Sequence, residues 1–248
     1  MVRILDMKPS RLALFDIDGT ILTTVRKAWE DPFKDAMEQA FAADGDSRTI
    51  DTSHYRPGGK TDTQIIYEIL GQNGIGEERI AQILPKVKAK YLGHLRKIVG
   101  ENPGYVTLKP GIQELLAELH SHPDVLLGLL TGNFEEGARI KLGVHDLNKY
   151  FGFGAFGEDA RQRSELPQRA VDAAKHHKGH HFTKKEIVII GDTPNDIHCG
   201  RHLHVRTIAV ATGPFTLEQL EAEKPDFTFV NFTDKEKVLS AILAPLPH

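Results

Sequence analysis

Three places in this chain put acids, hydroxyls and amides directly after an apolar run. Ala13–Thr20 reads ALFDIDGT, Leu129–Asn133 reads LLTGN, and Ile189–Asp196 reads IIGDTPND. Residues two apart on an extended chain point to one side, so Asp16 and Asp18 can share a cavity. Asp192 can join them from a neighbouring strand. Clustered carboxylates are costly away from water unless a cation or protons compensate them. A hard divalent cation with oxygen ligands does so directly, and Mg²⁺ suits, being held by one or two carboxylates, waters and a substrate phosphate. Each acid taken singly has a plainer reading as a helix N-cap or turn former. Three together at adjacent strand ends point to a site.

Elements must bring these residues together. Apolar, β-branched runs at Leu12–Ile17, Val125–Leu130, Gly152–Phe156, Glu186–Ile190, Thr207–Ala211 and Phe227–Val230 read as strands, and several are nearly continuous in apolar character, as strands buried on both faces are. Helical spacing recurs between them, as in Gly111–His120, Asn133–Leu142, Glu165–His176, Asn195–Leu203 and Leu217–Glu223. The alternation predicts an α/β fold with a Rossmann-like parallel sheet and helices on both faces. Ligands of such sheets bind outside the carboxyl ends of the strands, where the three motifs lie.

The rhythm breaks between Leu22 and Leu108. No buried strand is evident there, but helical stretches run over Lys27–Ala42, Thr61–Leu70 and Glu77–Val99. Pro85 predicts a kink or two helices in the last of these. The expected organisation is a core of residues 1–21 and 109–248 carrying a helical insert, 22–108, large enough to be a small domain. Trp29, Phe33 and Phe41 look like core residues of that insert.

Composition narrows the rest. The 248 residues are 40% hydrophobic and carry a formal net charge of −3, so no pull toward nucleic acid or an anionic membrane is expected. No apolar run approaches the roughly 18 residues of a membrane span. The opening MVRILDMKPSR lacks the features of a signal peptide. A single cysteine, Cys199, allows no internal disulfide, which fits the cytoplasm.

FDIDGT, LLTGN and IIGDTPND resemble, in order and spacing, three of the four signature motifs of the haloacid dehalogenase superfamily. The insert resembles the helical cap of its phosphoglycolate-phosphatase-like branch, in which GKTDTQIIYEIL (Gly59–Leu70) looks like a common cap segment. The resemblance covers nearly the whole chain. It implies that Asp16 is a nucleophile forming an aspartyl-phosphate. It implies that Asp18 protonates the leaving alcohol, takes a proton from the hydrolytic water, and lends its backbone carbonyl to the metal. Asp192 would be a metal ligand supported by Asp196. Thr131, Gly132 and Asn133 would hold a phosphoryl oxygen at a helix N-terminus. Members that cleave carbon–halogen or carbon–phosphorus bonds lack the second acid, so Asp18 favours phosphate esters.

One departure stands out. The family's third motif is usually a lysine, and the equivalent stretch here is EDARQRSELPQRAVDAA. Arg163 falls at the expected position by spacing, with Arg161 as the alternative register; either could be a surface residue. An arginine can clamp phosphate and Asp16 but is not a neutral exchange for lysine.

Other signals weigh less. GFGAFG (Gly152–Gly157) matches a dinucleotide fingerprint, but its glycines fall within a strand, where close backbone packing explains them. GGKT (Gly58–Thr61) lacks the first glycine of a P-loop, since His54 stands there. Lys60 and Arg56 could contact the non-reacting part of a substrate or be solvated loop charges. HHKGHH (His176–His181) and the pair His198 and His202 lack the context of a zinc site. Cys199 reads as a packed thiol.

The resulting expectation is a Mg²⁺-dependent phosphatase of small phosphorylated metabolites, a monomer or homodimer. Phosphoglycolate is the nearest substrate label, with sugar or nucleoside phosphates close behind. A phosphotransferase resembling β-phosphoglucomutase is the alternative. A non-catalytic binding module is a further one, disfavoured by the retention of Asp16 and Asp18.

Overall fold

The strand that delivers Asp16, β1 (Arg11–Phe15), is buried along its whole length. Leu12 and Leu14 enter one hydrophobic core, Ala13 and Phe15 the other. This explains why the sequence shows a continuous apolar run and no alternation. β4 (Val125–Leu130) and β6 (Ile187–Gly191) flank β1 in parallel, with Phe15 level with both Leu129 and Ile190. With β5 (Gly154–Ala155), β7 (Arg206–Val210) and β8 (Phe227–Phe229) they form a six-stranded parallel sheet, ordered β5-β4-β1-β6-β7-β8. The computed structural model describes residues 9–24, 32–53, 55 and 58–244.

The chain builds from β1 to β4 and β5, then returns to build β6, β7 and β8 on the other side. Such a reversal opens a crevice at the carboxyl ends of the central strands. α4 (Ile112–Ser121), α5 (Glu135–Gly143) and α9 (Lys235–Leu243) pack apolar residues into the core on the Phe15 face. α6 (Leu166–Lys178) and α7 (Pro194–Leu203) cover the Leu14 face with Leu166, Ala170, Ala174 and Cys199. α8 (Leu217–Ala222) sets Leu220 against Ile197 and Ala209. This is the α/β class expected from the sequence.

The segment between β1 and α4 holds α1 (Pro32–Ala42), α2 (Asp62–Gln72) and α3 (Glu77–Glu101). Its apolar residues, among them Phe33, Phe41, Ile66, Ile83 and Leu95, are continuous with the core on the Phe15 face. Trp29 and the start of the expected first helix lie outside the described residues. Two expectations need correction. A two-stranded antiparallel ribbon, β2 (Leu22–Thr24) with β3 (Val106–Leu108), stands where no strand was evident. Each strand has three residues and is only partly buried, too short for a periodic signal. α3 is one helix of 25 residues despite Pro85. Pro85 and Ala81 are both exposed, so the carbonyl that loses its partner faces water.

Phe15 is fully buried and meets Phe151 edge-on, with ring centroids 6.2 Å apart. Phe15→Ala is expected to cost about 3–5 kcal/mol, by lost burial and a residual cavity. Urea unfolding followed by circular dichroism checks this.

Candidate active site

Asp16 follows Phe15, and its backbone N–H still bonds to Ile190 O at 3.0 Å, so the residue is held as the last rung of β1. Asp192 leaves β6 beside it, and Asp196 lies in the first turn of α7. One ligand oxygen from each of Asp16, Asp192 and Asp196 lies within 4.8 Å of the others, and all three residues are buried. The structure brings Asp16 and Asp192 together as the sequence predicts, but the third acid of the group is Asp196, and the Asp18 carboxylate, expected there, is not part of it.

Arg163 sits among these acids. It opens a turn of 3₁₀ helix just before α6, and it is 6% exposed. Its Nη2 donates to Asp16 Oδ1 at 2.9 Å and to Asp196 Oδ1 at 2.5 Å. Arg161 lies elsewhere, pairing with Glu77 at 3.0 Å and stacking 4.0 Å from the Tyr67 ring. The spacing argument and the need for a cation among the acids thus select the same arginine. Burial opposes the Arg163 charge, but Asp196 and Asp16 hold it, and its pKa stands well above the usual arginine value.

The acids are less settled. Burial pushes Asp16 up to about 6, against the pull of Arg163 and with a push from Asp196. Burial raises Asp192 well above the usual carboxylate range, reinforced by Asp16 and Asp196. Three carboxylates and one guanidinium sum to −2 when all are ionised, the charge that a divalent cation cancels. Asp192 accepts from Thr20 Oγ1 at 2.8 Å through Oδ1, while its buried Oδ2 has no protein partner. Gly19 and Gly213 press against that carboxylate, and a Cβ on either would collide with it. A buried, orphaned carboxylate oxygen beside Asp16 fits a hard cation. Asp196 is already engaged: its Oδ2 accepts from Thr193 N at 3.1 Å and Thr193 Oγ1 at 2.7 Å, closing the α7 capping box. Asp196 therefore orients Arg163 and the Asp192 turn.

Asp18 turns to the opposite wall. Its Oδ2 accepts from Asn133 Nδ2 at 2.7 Å and from Lys141 Nζ at 2.7 Å. Asn133 Nδ2 also donates to Thr131 Oγ1 at 2.8 Å. Lys141 was not expected from the sequence. It lies in the last turn of α5, where a lysine ordinarily serves the helix dipole from solvent. The available signal was its place on the helix face of Ala138 and Leu142, both buried.

A cavity of about 700 Å³ joins these residues; Asp16, Asp18, Asn133, Lys141, Arg163 and Asp192 line its floor. Phe33, Ile65, Ile69 and Tyr91 line the opposite side. Lys60 also lines it, but its Nζ pairs with Glu68 at 2.5 Å and lies 4.9 Å from the Tyr55 ring. Arg56 lies outside the described residues.

The stretch Gly58–Thr63 does something the sequence did not announce. Asp62 N donates to Gly132 O at 2.7 Å, and Asp62 Oδ2 accepts from Phe134 N at 2.8 Å, at the start of α5. Thr63 Oγ1 donates to Gly157 O at 2.6 Å, and Thr61 Oγ1 to Arg161 O at 2.7 Å. Asn195 Nδ2 donates to Gly59 O at 3.1 Å. A Cβ at Gly132 would strike Lys60 O, and one at Gly157 would strike Gly132 O. The insert is thus hydrogen-bonded onto the segments that follow β4 and β5 and onto the first turn of α7. The glycines of GFGAFG serve close packing here.

Cys199 is buried, its thiol pushed up to about 12 by burial, and Sγ donates to Arg163 O at 3.6 Å. Asp16, Asp192 and Asp196 are the one acid, histidine or cysteine group among the described residues that could hold a metal ion. No described helix is long and apolar enough to cross a membrane.

Comparison with known proteins places this arrangement. The chain is 28% identical over 123 residues to PpaX, named as a pyrophosphatase, from Caldanaerobacter subterraneus subsp. tengcongensis; the match covers 50% of this chain and 54% of that protein. The chain thus spans about half the length of that relative. It is 22% identical over 230 residues to the phosphoglycolate phosphatase of Synechococcus elongatus, covering 93% of this chain and 97% of that one. The crystal structure of CbbY from Rhodobacter sphaeroides in complex with phosphate shares the fold, with a TM-score of 0.65 and 19% identity over 90% of this chain and 95% of that chain. The sequence model of the haloacid dehalogenase-like hydrolases matches residues 13–210, from β1 through the acids to the end of β7, and the chain belongs to that family.

Proposed function

We propose that this protein is a Mg²⁺-dependent phosphatase that hydrolyses phosphate monoesters of small metabolites through an aspartyl-phosphate on Asp16. The observation that carries the reading is the pairing of buried Asp16 with Arg163 beside the orphaned Asp192 Oδ2, with Asp18 two residues on at the same cavity. The names of the relatives, a pyrophosphatase and a phosphoglycolate phosphatase, agree with phosphoryl chemistry.

An oxygen of Asp16 attacks phosphorus and the ester P–O bond breaks. The departing alcohol oxygen takes a proton from Asp18. Water then attacks phosphorus, gives a proton to Asp18, and displaces the Asp16 carboxylate as inorganic phosphate leaves. Arg163 fixes Asp16 for in-line attack. Thr131 Oγ1 and the backbone N–H groups at Gly132 and Asn133 hold a phosphoryl oxygen. Asp16, the Asp18 backbone carbonyl and Asp192 would hold Mg²⁺, with Asp196 supporting them. The ion would supply charge neutralisation of the phosphoryl group. Residues 22–108 act as the cap, with the wall of Phe33, Ile65, Ile69 and Tyr91, and Lys60 near it, facing the leaving group. Arg56 belongs to the same proposed set.

Purified protein screened against phosphorylated metabolites, phosphoglycolate among them, is expected to release phosphate only with Mg²⁺. Asp16→Asn is expected to abolish that release. Isomerisation of β-glucose 1-phosphate without phosphate release would replace this reading with a mutase.

The acid cluster makes a second prediction. Asp16 and Asp192 have folded pKa values raised above the ordinary 3.8, Asp16 to about 6. The folded state therefore binds their protons more tightly than the unfolded chain. That contribution is fully present below about pH 3.8 and is lost as pH rises through 6 and beyond. In EDTA, Tm is expected to fall between pH 5 and 7.5 for this reason. Mg²⁺ competes with protons for the same oxygens, so it is expected to raise Tm more at pH 7.5 than at pH 5, and not at all in Asp192→Asn. Thermal melts with and without Mg²⁺ measure this; an equal rise at both pH values would contradict it.

A further inference from the structure

Two cations reach the acids of this site, from different elements and to different ends. Arg163 serves Asp16 and Asp196. Lys141 serves Asp18 alone among the carboxylates, with Nζ 2.7 Å from its Oδ2 and 2.6 Å from Asn133 Oδ1. The Asn133 amide is fixed by this arrangement. Lysine can only donate and a carboxylate can only accept, so the amide oxygen must face Lys141 and its NH₂ must face Asp18 and Thr131. The result is a closed triangle of Lys141, Asn133 and Asp18, tied at one corner to Thr131.

The burial of the two partners is unequal. The Lys141 side chain is 4% exposed and that of Asp18 is 39% exposed. Asp18 has water within reach and needs no cation for solvation. Lys141 has been drawn into an apolar helix face, which is costly for an ammonium unless it is paired. An ion pair kept for stability alone is a poor reason for that burial. What the pair accomplishes is geometric. Two donors converge on one oxygen of Asp18 and fix its carboxylate at the cavity wall.

We infer that Lys141 is the positioning residue for Asp18: with Asn133 it holds the carboxylate where a leaving oxygen and, later, a water must exchange a proton. The inference rests on the phosphatase reading above. Lys141 touches neither phosphorus nor the leaving group in this role; it acts through Asp18. A misplacement of the acid by about 1 Å costs on the order of 10²-fold in rate.

The leaving group supplies the test. p-Nitrophenolate departs without a proton, whereas an alkoxide such as that of glycerol phosphate needs one. Lys141→Met keeps the length and removes the charge. It is expected to slow single-turnover release of glycerol by about 10²-fold. It is expected to leave the p-nitrophenolate burst and KM within a few fold. In an Asp18→Asn background, Lys141→Met is expected to add no further loss, because its effect passes through that carboxylate. Lys141→Arg is expected to recover part of the rate, and Lys141→Gln to show the same leaving-group signature should Lys141→Met fail to fold. Equal losses for both leaving groups, a change confined to KM, or losses that add in the double variant would overturn the assignment. A wild-type protein that releases neither alcohol would instead remove the phosphatase reading beneath it.

Discussion

Three carboxylates gathered at the buried end of a parallel sheet repel one another, and the rest of the structure answers that repulsion. Arg163 answers part of it, with one guanidinium nitrogen shared between Asp16 and Asp196. The α7 capping box answers another part by giving the second Asp196 oxygen to Thr193. Thr20 takes one oxygen of Asp192. What is left over is one buried oxygen and, when all three acids are ionised, two uncompensated charges, a remainder that fits the proposed divalent cation. The glycines follow from the same constraint. Gly19 and Gly213 let two turns close on the Asp192 carboxylate at a range no side chain would permit.

The second pair of charges, Asp18 with Lys141, is kept on the other wall. Asn133 and Thr131 bridge toward it from the loop after β4, so the motif that receives the phosphoryl group on the proposed chemistry also sets the acid. Asp62 adds a link from the insert. By accepting from Phe134 N it occupies a free donor at the start of α5, the helix that carries Lys141. The insert, the loop after β4 and Asp18 are therefore joined by hydrogen bonds through one short helix.

Much of this was legible in the sequence where chemistry and periodicity coincide. Asp16 and Asp192 stand directly after continuous apolar runs, so their strand ends and their meeting follow from pattern, whereas Asp196 entered only through the family resemblance and Asp18, expected beside them, faces the other wall. Arg163 was reachable because an acid cluster demands a cation and the spacing offers one. Lys141 was not, because a lysine near a helix C-terminus has an ordinary solvated reading, and only its neighbours Ala138 and Leu142 mark the face as buried. The docking of Gly58–Thr63 was hidden for a different reason. Many of its bonds use backbone N–H and C=O groups, which every residue carries and no sequence pattern displays. β2 and β3 were missed because three-residue strands rich in threonine have too short a period to register, and α3 survives Pro85 because solvent takes the freed carbonyl.

The cavity divides by character, and that division says where selectivity must lie. Its floor is committed: Asp16 and Asp196 share Arg163 and Asp18 has Lys141, so exchanging either cation strands a carboxylate. The opposite side, with Phe33 stacked on Tyr91 at 4.3 Å and flanked by Ile65 and Ile69, carries no such obligation. Those residues come from α1, α2 and α3, and the insert that holds them is pinned at Gly132, one residue after Thr131. Asp62, Thr61, Thr63 and Gly59 add further hydrogen bonds from the insert to the core, so the separation between Gly132 and the apolar wall is set by several short contacts. On the proposed phosphatase chemistry, leaving groups would be discriminated by how well they span that distance and what they present to the wall, while the floor would perform the same transfer on each of them.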